Sequence, residues 1–401
     1  MHVRFFNTYE PVTTFFRDLL PYLAERGFTV EVLISIADYR QGGRGKLNEV
    51  FEAPNIRVRY LSSLGIQPTG SIKKAGIMLA YIVSCMGKTL LGAATDVNFF
   101  LSQPPLFSLW GWVLKKLRRQ PYICLVMDIY PDVAVMGGLL PKNGLITRLL
   151  SRLNKFALQH ADSVVVIGRC MAERVEAMSI ALEKVHLIPN WANPEVVFSI
   201  PPEDNQLRQE LGLNGKFVVL YSGNMGISHD FQDLLDVVHH CQEEIGLHFV
   251  FIGAGRRQKE IENYITIHQP KNVCLLPFQP LERLAESLSL GDIHFISLRE
   301  GFEGLVVPSK FYGALAAGRA VIYQGNIKGE IARIILEEEI GMTIESGETN
   351  SLFNAISGYY KNQDQAKTHG ERAYQLFKAK YQAKTALAAY ANLLHQFQEL
   401  E

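Results

Sequence analysis

Residues 293–322, IHFISLREGFEGLVVPSKFYGALAAGRAVI, contain a strand, a loop and a short helix in the order that decides the fold class. The run Ile293–Ser297 is short, apolar and rich in β-branched residues, which is typical of a buried strand. After an acidic, glycine-containing loop, Pro308 opens a helix that we expect to end at Gly318, because proline favours the first turn and glycine the C-terminal end. A second apolar run, Ala320–Tyr323, follows at once. This pattern predicts a βαβ unit in a parallel sheet.

The same alternation of short apolar runs and longer helical stretches extends along the whole chain. In the first half the strand candidates are His2–Phe6, Thr29–Ile34, Ile56–Tyr60, Val97–Leu101, Tyr122–Val126, Ser163–Ile167 and Val185–Ile188. In the second half they are Phe217–Tyr221, His248–Ile252, Val273–Leu276, Ile293–Ser297 and Ala320–Tyr323. The helical candidates include Thr13–Arg26, Ile72–Ala93, Phe107–Arg119, Ile146–Gln159, Ser351–Lys361, Lys367–Lys380 and Ala383–Leu400. Strands that alternate with helices predict parallel sheets.

The alternation is interrupted once, by the proline-rich polar segment NWANPEVVFSIPPEDN at residues 190–205, which is typical of a linker. We therefore predict an α/β fold with two Rossmann-like, doubly wound parallel-sheet domains that face a central cleft. The predicted domains are residues 1–195 and 196–380. A last helix, at 381–401, could pack back on the first domain.

Composition places the chain among ordinary globular proteins of 401 residues, with 40 basic and 40 acidic side chains. A balanced charge gives no reason to expect nucleic acid as a partner. The five cysteines form no CxxC pair, and MHVRFFNTYEP lacks a signal-peptide pattern, so a cytoplasmic location is expected. The apolar stretch Ala75–Ala94 is interrupted by Lys88, which favours a buried or membrane-facing helix over one that spans a bilayer.

Two glycine-containing loops follow strands of the second half. In Tyr221-Ser-Gly-Asn-Met-Gly-Ile, Gly223 and Gly226 allow close approach of a ligand, and a helix follows. Such a loop can present N–H groups to phosphate, although a glycine turn between strand and helix is also common without any ligand. The second loop holds Gly253, Gly255 and Arg256. It fails the dinucleotide-binding pattern, and its basic residues could equally be a solvated first helical turn.

Lys310 is the most informative single residue. It lies in the first turn of the helix that Pro308 opens, where the helix dipole disfavours a cation. A local violation of this kind is expected where a site needs the charge, for example opposite a diphosphate. The alternative is an exposed lysine on an ordinary helix.

These three loops, in this order and spacing, resemble the donor domain of the GT4 family of GT-B glycosyltransferases. The segments EGLVVPSKFYGALAAGRAVI and KGEIARII are similar to the WbuB-like branch, which builds bacterial surface polysaccharides. PYICLVMDIYPDVAV and HLIPNWANPE extend the resemblance into the first half. The resemblance implies a nucleotide diphosphate-sugar as donor co-substrate, retention of anomeric configuration, no metal and no other cofactor. The lack of an Asp-x-Asp triplet agrees with metal independence.

The resemblance also implies roles for individual residues. Residues that would contact the donor are Gly223, Asn224, Met225, Gly226, Gly253, Gly255, Arg256, Phe278, Ser309 and Glu330. Among them, Arg256 would help Lys310 to neutralise the phosphates, and Phe278 would lie in the loop against the nucleobase. Glu330 would hold a ribose or sugar hydroxyl. Glu300 and Glu303 compete for the first position of the Glu-x7-Glu motif of the family, where Glu303 would orient sugar hydroxyls.

Two departures from the family pattern bear on these roles. Gly313 stands where most of the family has its second glutamate, which puts the grip on the ribose or sugar in doubt. Residues 9–15, YEPVTTF, replace the usual glycine-rich loop after the first strand.

On the acceptor side, Asp128 follows the strand Tyr122–Val126 and could accept or steer the proton of the acceptor hydroxyl. A turn or helix-capping aspartate is the alternative, since Asp132 follows closely. The segment FSLWGWVLKKLRR, residues 107–119, could rest on an anionic membrane beside a lipid-linked acceptor, or could be a core helix with a solvated basic end. No metal-ligand spacing is present.

The sequence predicts a retaining, metal-independent hexosyltransferase of polysaccharide, glycolipid or glycoconjugate biosynthesis. Its partners would be the nucleotide-sugar and a sugar, lipid-linked or small-molecule acceptor, with possible peripheral contact at the inner face of the membrane. One alternative is a nucleotide-sugar 2-epimerase on the same fold, and a second is a non-catalytic glycosyltransferase-like subunit, which Gly313 keeps open.

Overall fold

A computed structural model describes residues 1–7, 14–35, 53–61 and 71–398 of the chain. These residues fall into two compact units, of which the first comprises Met1–Pro189 with Ala386–Glu401 and the second Asn190–Thr385. The predicted loop at 9–15 lies mostly outside the described residues.

The first unit is built around a parallel sheet of seven strands in the order β3-β2-β1-β4-β5-β6-β7. The strands are β1 His2–Asn7, β2 Thr29–Ser35, β3 Ile56–Leu61, β4 Val97–Leu101, β5 Tyr122–Val126, β6 Ser163–Val166 and β7 Val185–Leu187. The helices are α1 Thr14–Glu25, α2 Ser71–Leu91, α3 Ser108–Arg118, α4 Asp132–Met136, α5 Leu145–His160 and α6 Arg169–Ala177. Strand β5, YICLV, is buried at every residue, as expected of a parallel strand covered on both faces.

The second unit has a parallel sheet of six strands in the order β10-β9-β8-β11-β12-β13. Its strands are β8 Phe217–Ser222, β9 Leu247–Ile252, β10 Val273–Leu276, β11 Ile293–Ser297, β12 Ala320–Gln324 and β13 Gly341–Ile344. Its helices are α7 Gln206–Glu210, α8 Gln232–His240, α9 Gln258–His268, α10 Leu284–Ser289, α11 Lys310–Ala316, α12 Glu330–Glu338, α13 Thr349–Lys361 and α14 Gln363–Leu376. Short 3₁₀ turns lie at Leu182–Lys184, Pro202–Asp204 and Leu281–Arg283, and a π turn at Phe377–Tyr381.

The last helix, α15 Ala383–His395, places most of its length in the first unit. The ring of Tyr390 packs edge-on against Phe15 and lies 6.0 Å from Phe99, so the helix covers the aromatic core beside β1 and β4.

Both sheets share the strand order of doubly wound folds, in which the connection reverses direction beside the first strand of the unit. In the first unit this switch point lies between β1 and β4, and in the second between β8 and β11. Ligands in such folds bind beyond the carboxyl ends of the strands next to this point. The loops that follow β8 and β11 therefore hold the first candidates for a site.

Candidate functional site

The loops that follow β8 and β9 pack directly on one another. A Cβ added at Gly253 would collide with the carbonyl oxygen of Gly223, and one at Gly255 with the carbonyl oxygen of Met225. Gly253 and Gly255 also have φ of +136° and +157°, in the region that side chains disfavour. The N–H of Met225 donates to the carbonyl of Ala254 over 2.9 Å. These glycines are needed for the loops to meet.

This packing decides which backbone groups remain for a ligand. The N–H of Gly223 donates to the carbonyl of Ile252 over 2.9 Å, and that of Met225 is occupied as well. Within the described part of the chain, no hydrogen bond uses the N–H groups of Asn224 and Gly226. The side chain of Met225 is fully buried in the core, so this residue can reach a ligand only through its backbone. Of the four backbone N–H groups of residues 223–226, the loop can thus offer a ligand only those of Asn224 and Gly226.

Lys310, the first residue of α11, sends its side chain back over the β8 loop. Its Nζ donates to the hydroxyl of Tyr221 and to Nε2 of His229, both over 2.8 Å, and lies 4.5 Å from the centroid of the Tyr221 ring. The Tyr221 hydroxyl in turn donates to the carbonyl of Asn224 over 2.8 Å. A Cβ added at Gly223 would lie 2.9 Å from Cε of Lys310, so glycine leaves room for the lysine stem. Loop and lysine therefore form one cluster.

The electrostatics of this cluster are unusual. Nδ1 of His229 lies 2.6 Å from the carbonyl oxygen of Ser297, so Nδ1 carries the hydrogen and Nε2 is the acceptor that faces Lys310. Burial, followed by the charge of Lys310, lowers the pKa of His229 to about 3, which keeps the ring neutral. Burial also holds the pKa of Lys310 well below its usual value. Among the described residues no carboxylate forms an ion pair with Lys310. The half-buried ammonium of Lys310 is thus held by neutral acceptors alone.

Arg256 and Arg257 differ in role although they are adjacent. The guanidinium of Arg257 donates to the carbonyl of His229, to Asp230 and, over 2.6 Å, to Glu260. These bonds connect the loop after β9 to the end of the loop after β8 and to α9. Arg256 is exposed, which leaves it able to approach an anion at the loops.

The loop after β11 brings together two of the predicted carboxylates. Glu303 accepts from the N–H of Gly301 over 2.8 Å, and its Cγ lies 3.7 Å from the position of a Cβ on Gly329. Gly329 precedes α12, whose first residue, Glu330, is buried. Glu300 is exposed instead. Of the two competing carboxylates, Glu303 is therefore the one that lies against Gly329, the residue before Glu330.

Three other predicted residues lie at the edges of the cluster. The ring of Phe278 is half exposed and lies 3.4 Å from the position of a Cβ on Gly253, so it borders the second glycine loop. Ser309 is exposed immediately before α11. A Cβ on Gly313 would lie 3.1 Å from Cδ1 of Leu288, which shows that this position of α11 faces α10 rather than Lys310.

In the first unit Asp128 lies at a pocket beyond the ends of β4 and β5. The pocket is lined by side chains that include Tyr130, Asn154 and Leu158. Gln103 donates to Oδ2 of Asp128 over 3.3 Å, and burial raises the pKa of the carboxyl to about 6. A carboxyl of this pKa can change its protonation state near neutral pH.

The two tryptophans of α3 do not form a membrane-facing surface. Trp110 is buried, and its Nε1 donates to Oγ1 of Thr89 over 2.8 Å, while Trp112 packs edge-on against Phe156. At the basic end, Lys115 donates to the carbonyl of His160 and Arg118 to that of Thr89. The helix is therefore a core helix, and two of its basic residues, Lys115 and Arg118, bond to carbonyls at the ends of α5 and α2.

Sequence reasoning missed Tyr221 and His229, the two partners of Lys310. Their sequence gives weak indications: a tyrosine that ends an apolar strand, and a histidine that closely follows a glycine loop.

Comparison with known families gives two matches that together span most of the chain. Residues 12–191 match the glycosyl transferase 4-like domain, and residues 203–376 match the glycosyl transferases group 1 domain. The probable glycosyltransferase WbjE of Pseudomonas aeruginosa is 31% identical over 308 residues, which are 77% of this chain and 74% of that protein.

Solved structures share the fold at low identity. Sucrose-phosphate synthase from Thermosynechococcus elongatus superposes with a TM-score of 0.77 at 14% identity and full coverage of both chains. HepE of Anabaena, solved in complex with UDP and glucose, superposes with a TM-score of 0.74 at 16% identity, over 99% of this chain and 100% of that one.

Proposed function

The chain belongs to the group 1 glycosyltransferases of the GT-B fold, and from that premise we propose how its own residues carry out sugar transfer. The observation that carries the proposal is the half-buried ammonium of Lys310, which is held by Tyr221 and His229 and has no carboxylate partner among the described residues. A buried charge without a counter-ion is costly, and a bound anion removes that cost. We assign this anion as the diphosphate of a nucleotide-sugar.

Three kinds of group would hold the leaving diphosphate. Lys310 supplies a half-buried positive charge, the N–H groups of Asn224 and Gly226 supply hydrogen bonds, and exposed Arg256 adds a second charge. Their combined effect is to stabilise negative charge as the bond to the anomeric carbon breaks. With the cations supplied by the chain, transfer is proposed to need neither a metal nor another cofactor. The HepE structure, which contains UDP, supports a nucleotide donor for this fold.

The sugar of the donor would be gripped by the carboxylates at the start of α12. Glu303 is fixed by the N–H of Gly301 and lies against Gly329, the residue that directly precedes buried Glu330. Carboxylates accept hydrogen bonds from sugar hydroxyls, and negative charge near the anomeric centre suits an oxocarbenium-like transition state. Gly313 has no side chain, and a Cβ there would point at Leu288, so nothing at this position replaces the usual second glutamate of the family. Glu330 is proposed to take over its contact, and retention of configuration is part of the proposal.

Asp128 is proposed to act on the acceptor in the first unit. The pKa of its carboxyl, raised to about 6 by burial, lets it accept a proton from a hydroxyl at neutral pH and release it again. The pocket lined by Asn154 and Leu158 mixes polar and apolar side chains, which suits a sugar hydroxyl attached to a larger apolar group. A lipid-linked acceptor is proposed on this ground.

The experiment that tests the proposal presents the chain with a panel of UDP-, GDP-, ADP- and CMP-sugars and measures both binding and release of the free nucleotide. If the chain transfers sugar, release of the free nucleotide should increase when acceptor is added. The Lys310→Met variant should show no such release. A 2-epimerase would convert the sugar without any acceptor. A non-catalytic subunit would bind nucleotide-sugar without turnover. Either of these two results would overturn the proposed transfer.

A further inference from the structure

One stretch of the first unit combines exposed apolar and exposed basic side chains. We define the α4–α5 surface as residues 136–152, from the end of α4 through the first half of α5. Its exposed apolar side chains are Met136, Leu139, Leu145, Ile146 and Leu149, with Leu145 82% exposed and Leu139 58% exposed. Its exposed basic side chains are Lys142, Arg148 and Arg152. Large apolar side chains that are grouped and exposed usually mark an interaction surface.

The helical spacing places these side chains together. Leu145, Leu149 and Arg152 are four and three residues apart, so they lie on one face of α5, with Arg148 beside them. The opposite face carries Thr147, which is buried, and Leu158, which lines the Asp128 pocket. One helix therefore has an inner face at the pocket and an outer face that is apolar and basic.

The charge of this region is one-sided. No aspartate or glutamate occurs between Asp132 and Asp162, whereas the whole chain has 40 acidic residues against 40 basic ones. Within the described part of the chain, Arg148 and Arg152 take part in no ion pair. They differ in this from Lys115 of α3, which pairs with Asp162. The α4–α5 surface thus presents uncompensated positive charge around its leucines.

We propose that the α4–α5 surface binds the anionic surface of a lipid bilayer. Leucines at the level of the headgroups bury apolar area, and arginines beside them attract anionic lipid. A second copy of the chain fits less well, because a two-fold interface would bring together two copies of a surface that carries positive charge and no carboxylate. Within the ranges that the structure describes, no helix combines the length and apolar character needed to cross a bilayer.

Bilayer binding would hold the Asp128 pocket close to the lipid surface, since Leu158 and Asn154 of the same helix line that pocket. The acceptor then reaches Asp128 from the membrane, as a hydroxyl on an amphiphile. This assignment of the acceptor rests on the proposed function, whereas binding to the bilayer itself does not.

The test is co-sedimentation of the full chain with vesicles of phosphatidylcholine alone and with vesicles that contain about one third phosphatidylglycerol. We expect binding to the anionic vesicles only, weakened by added salt. The pair Arg148→Gln and Arg152→Gln should lower the affinity roughly 25-fold, since each charge near such a surface is worth about fivefold. The pair Leu145→Gln and Leu149→Gln should lower it at least about tenfold.

Matched controls lie in the second unit. Ile245 and Ile267 are 85% and 73% exposed, and Lys259 and Lys271 are exposed lysines; changing each pair to glutamine should leave vesicle binding unchanged. Equal binding to both vesicle types, or α4–α5 variants that bind like the controls, would overturn the proposal. So would a dimer in solution that the Leu145 and Leu149 variants dissociate. A nucleotide-induced thermal shift in every variant shows that it is folded, and only absence of that shift in the wild type would count against the proposed function.

Discussion

Nζ of Lys310 lies 2.8 Å from Nε2 of His229, and the opposite ring nitrogen of His229 lies 2.6 Å from the carbonyl oxygen of Ser297. The carbonyl fixes the tautomer, so that the ring accepts a hydrogen bond from the lysine. His229 is therefore a positioning residue: it aims the ammonium without contributing charge.

Replacement of His229 should affect the nucleotide through Lys310. In His229→Leu the ammonium of Lys310 loses one acceptor, which should weaken nucleoside diphosphate binding by about 1–2 kcal/mol. His229→Gln keeps an acceptor oxygen and should recover part of this loss. Isothermal titration measures both affinities. Equal weakening in the two variants would indicate a packing role for the ring instead.

The affinity for nucleoside diphosphate should fall as the pH rises through the lowered pKa of Lys310. Burial lowers the pKa of the free Lys310, and a bound diphosphate raises it again, so binding takes up a proton between the two values. In that window the affinity should drop by up to about tenfold per pH unit. Titration in buffers of different ionisation enthalpy counts the proton directly. The linkage would be excluded if the wild type took up no proton on binding, or if the Lys310→Met variant took up as many protons as the wild type.

Asp128→Asn should separate transfer from donor binding. The pKa of Asp128 is raised to about 6, so the native state holds more protons than the unfolded chain between about pH 4 and 6, and stability falls as the pH rises through this window. Removing the charge should therefore stabilise the protein at pH 7, by on the order of 1–2 kcal/mol. Transfer should be lost while the nucleotide shift persists.

For the wild type, the rate of transfer should fall as the pH drops through about 6, where Asp128 becomes protonated. Thermal unfolding and a pH–rate profile check these two expectations. Full activity in Asp128→Asn would remove the residue from the mechanism.

Gly253→Ala should disrupt the two glycine loops. Its φ of +136° disfavours a side chain, and the new Cβ would collide with the carbonyl of Gly223. We therefore expect the free energy of unfolding to fall by about 2 kcal/mol or more, and the thermal shift caused by nucleotide to disappear. Gly358→Ala is the control, because a Cβ there meets nothing within 4 Å on α13 and should stabilise the helix by up to about 1 kcal/mol. Thermal midpoints compare them; similar values would contradict the loop packing.

The strands were predictable because most are buried on both faces and so appear as continuous apolar runs. Strand β13, Gly341–Ile344, was missed for the opposite reason: it is a half-buried edge strand that contains glycine and pairs only with β12. Residues 341–344 form a strand because they pair with β12, and their own composition does not indicate one. The observed order of strands places β8 beside β11, so the loops that follow them lie at the same edge of the sheet.

Side-chain directions within the site could not be predicted in the same way. Lys310 and His229 are 81 positions apart in sequence, and nothing local indicates that their side chains meet. Arg256 and Arg257 are adjacent and chemically identical, and only the packed loops decide which one faces inward. The outward direction of the α5 leucines likewise depends on which face the sheet covers.

The most direct test of the central claim is the binding of nucleoside diphosphates to the wild type, to Lys310→Met and to the control Lys271→Met, measured by thermal shift and isothermal titration. A ligand at 100 times its dissociation constant should stabilise the wild type by about 2.7 kcal/mol. We predict that Lys271→Met keeps this shift and that Lys310→Met binds roughly 10- to 100-fold more weakly, the effect of one charge-assisted hydrogen bond. Undiminished binding to Lys310→Met, or no nucleotide that stabilises the wild type, would contradict the assignment of this cluster as the donor site.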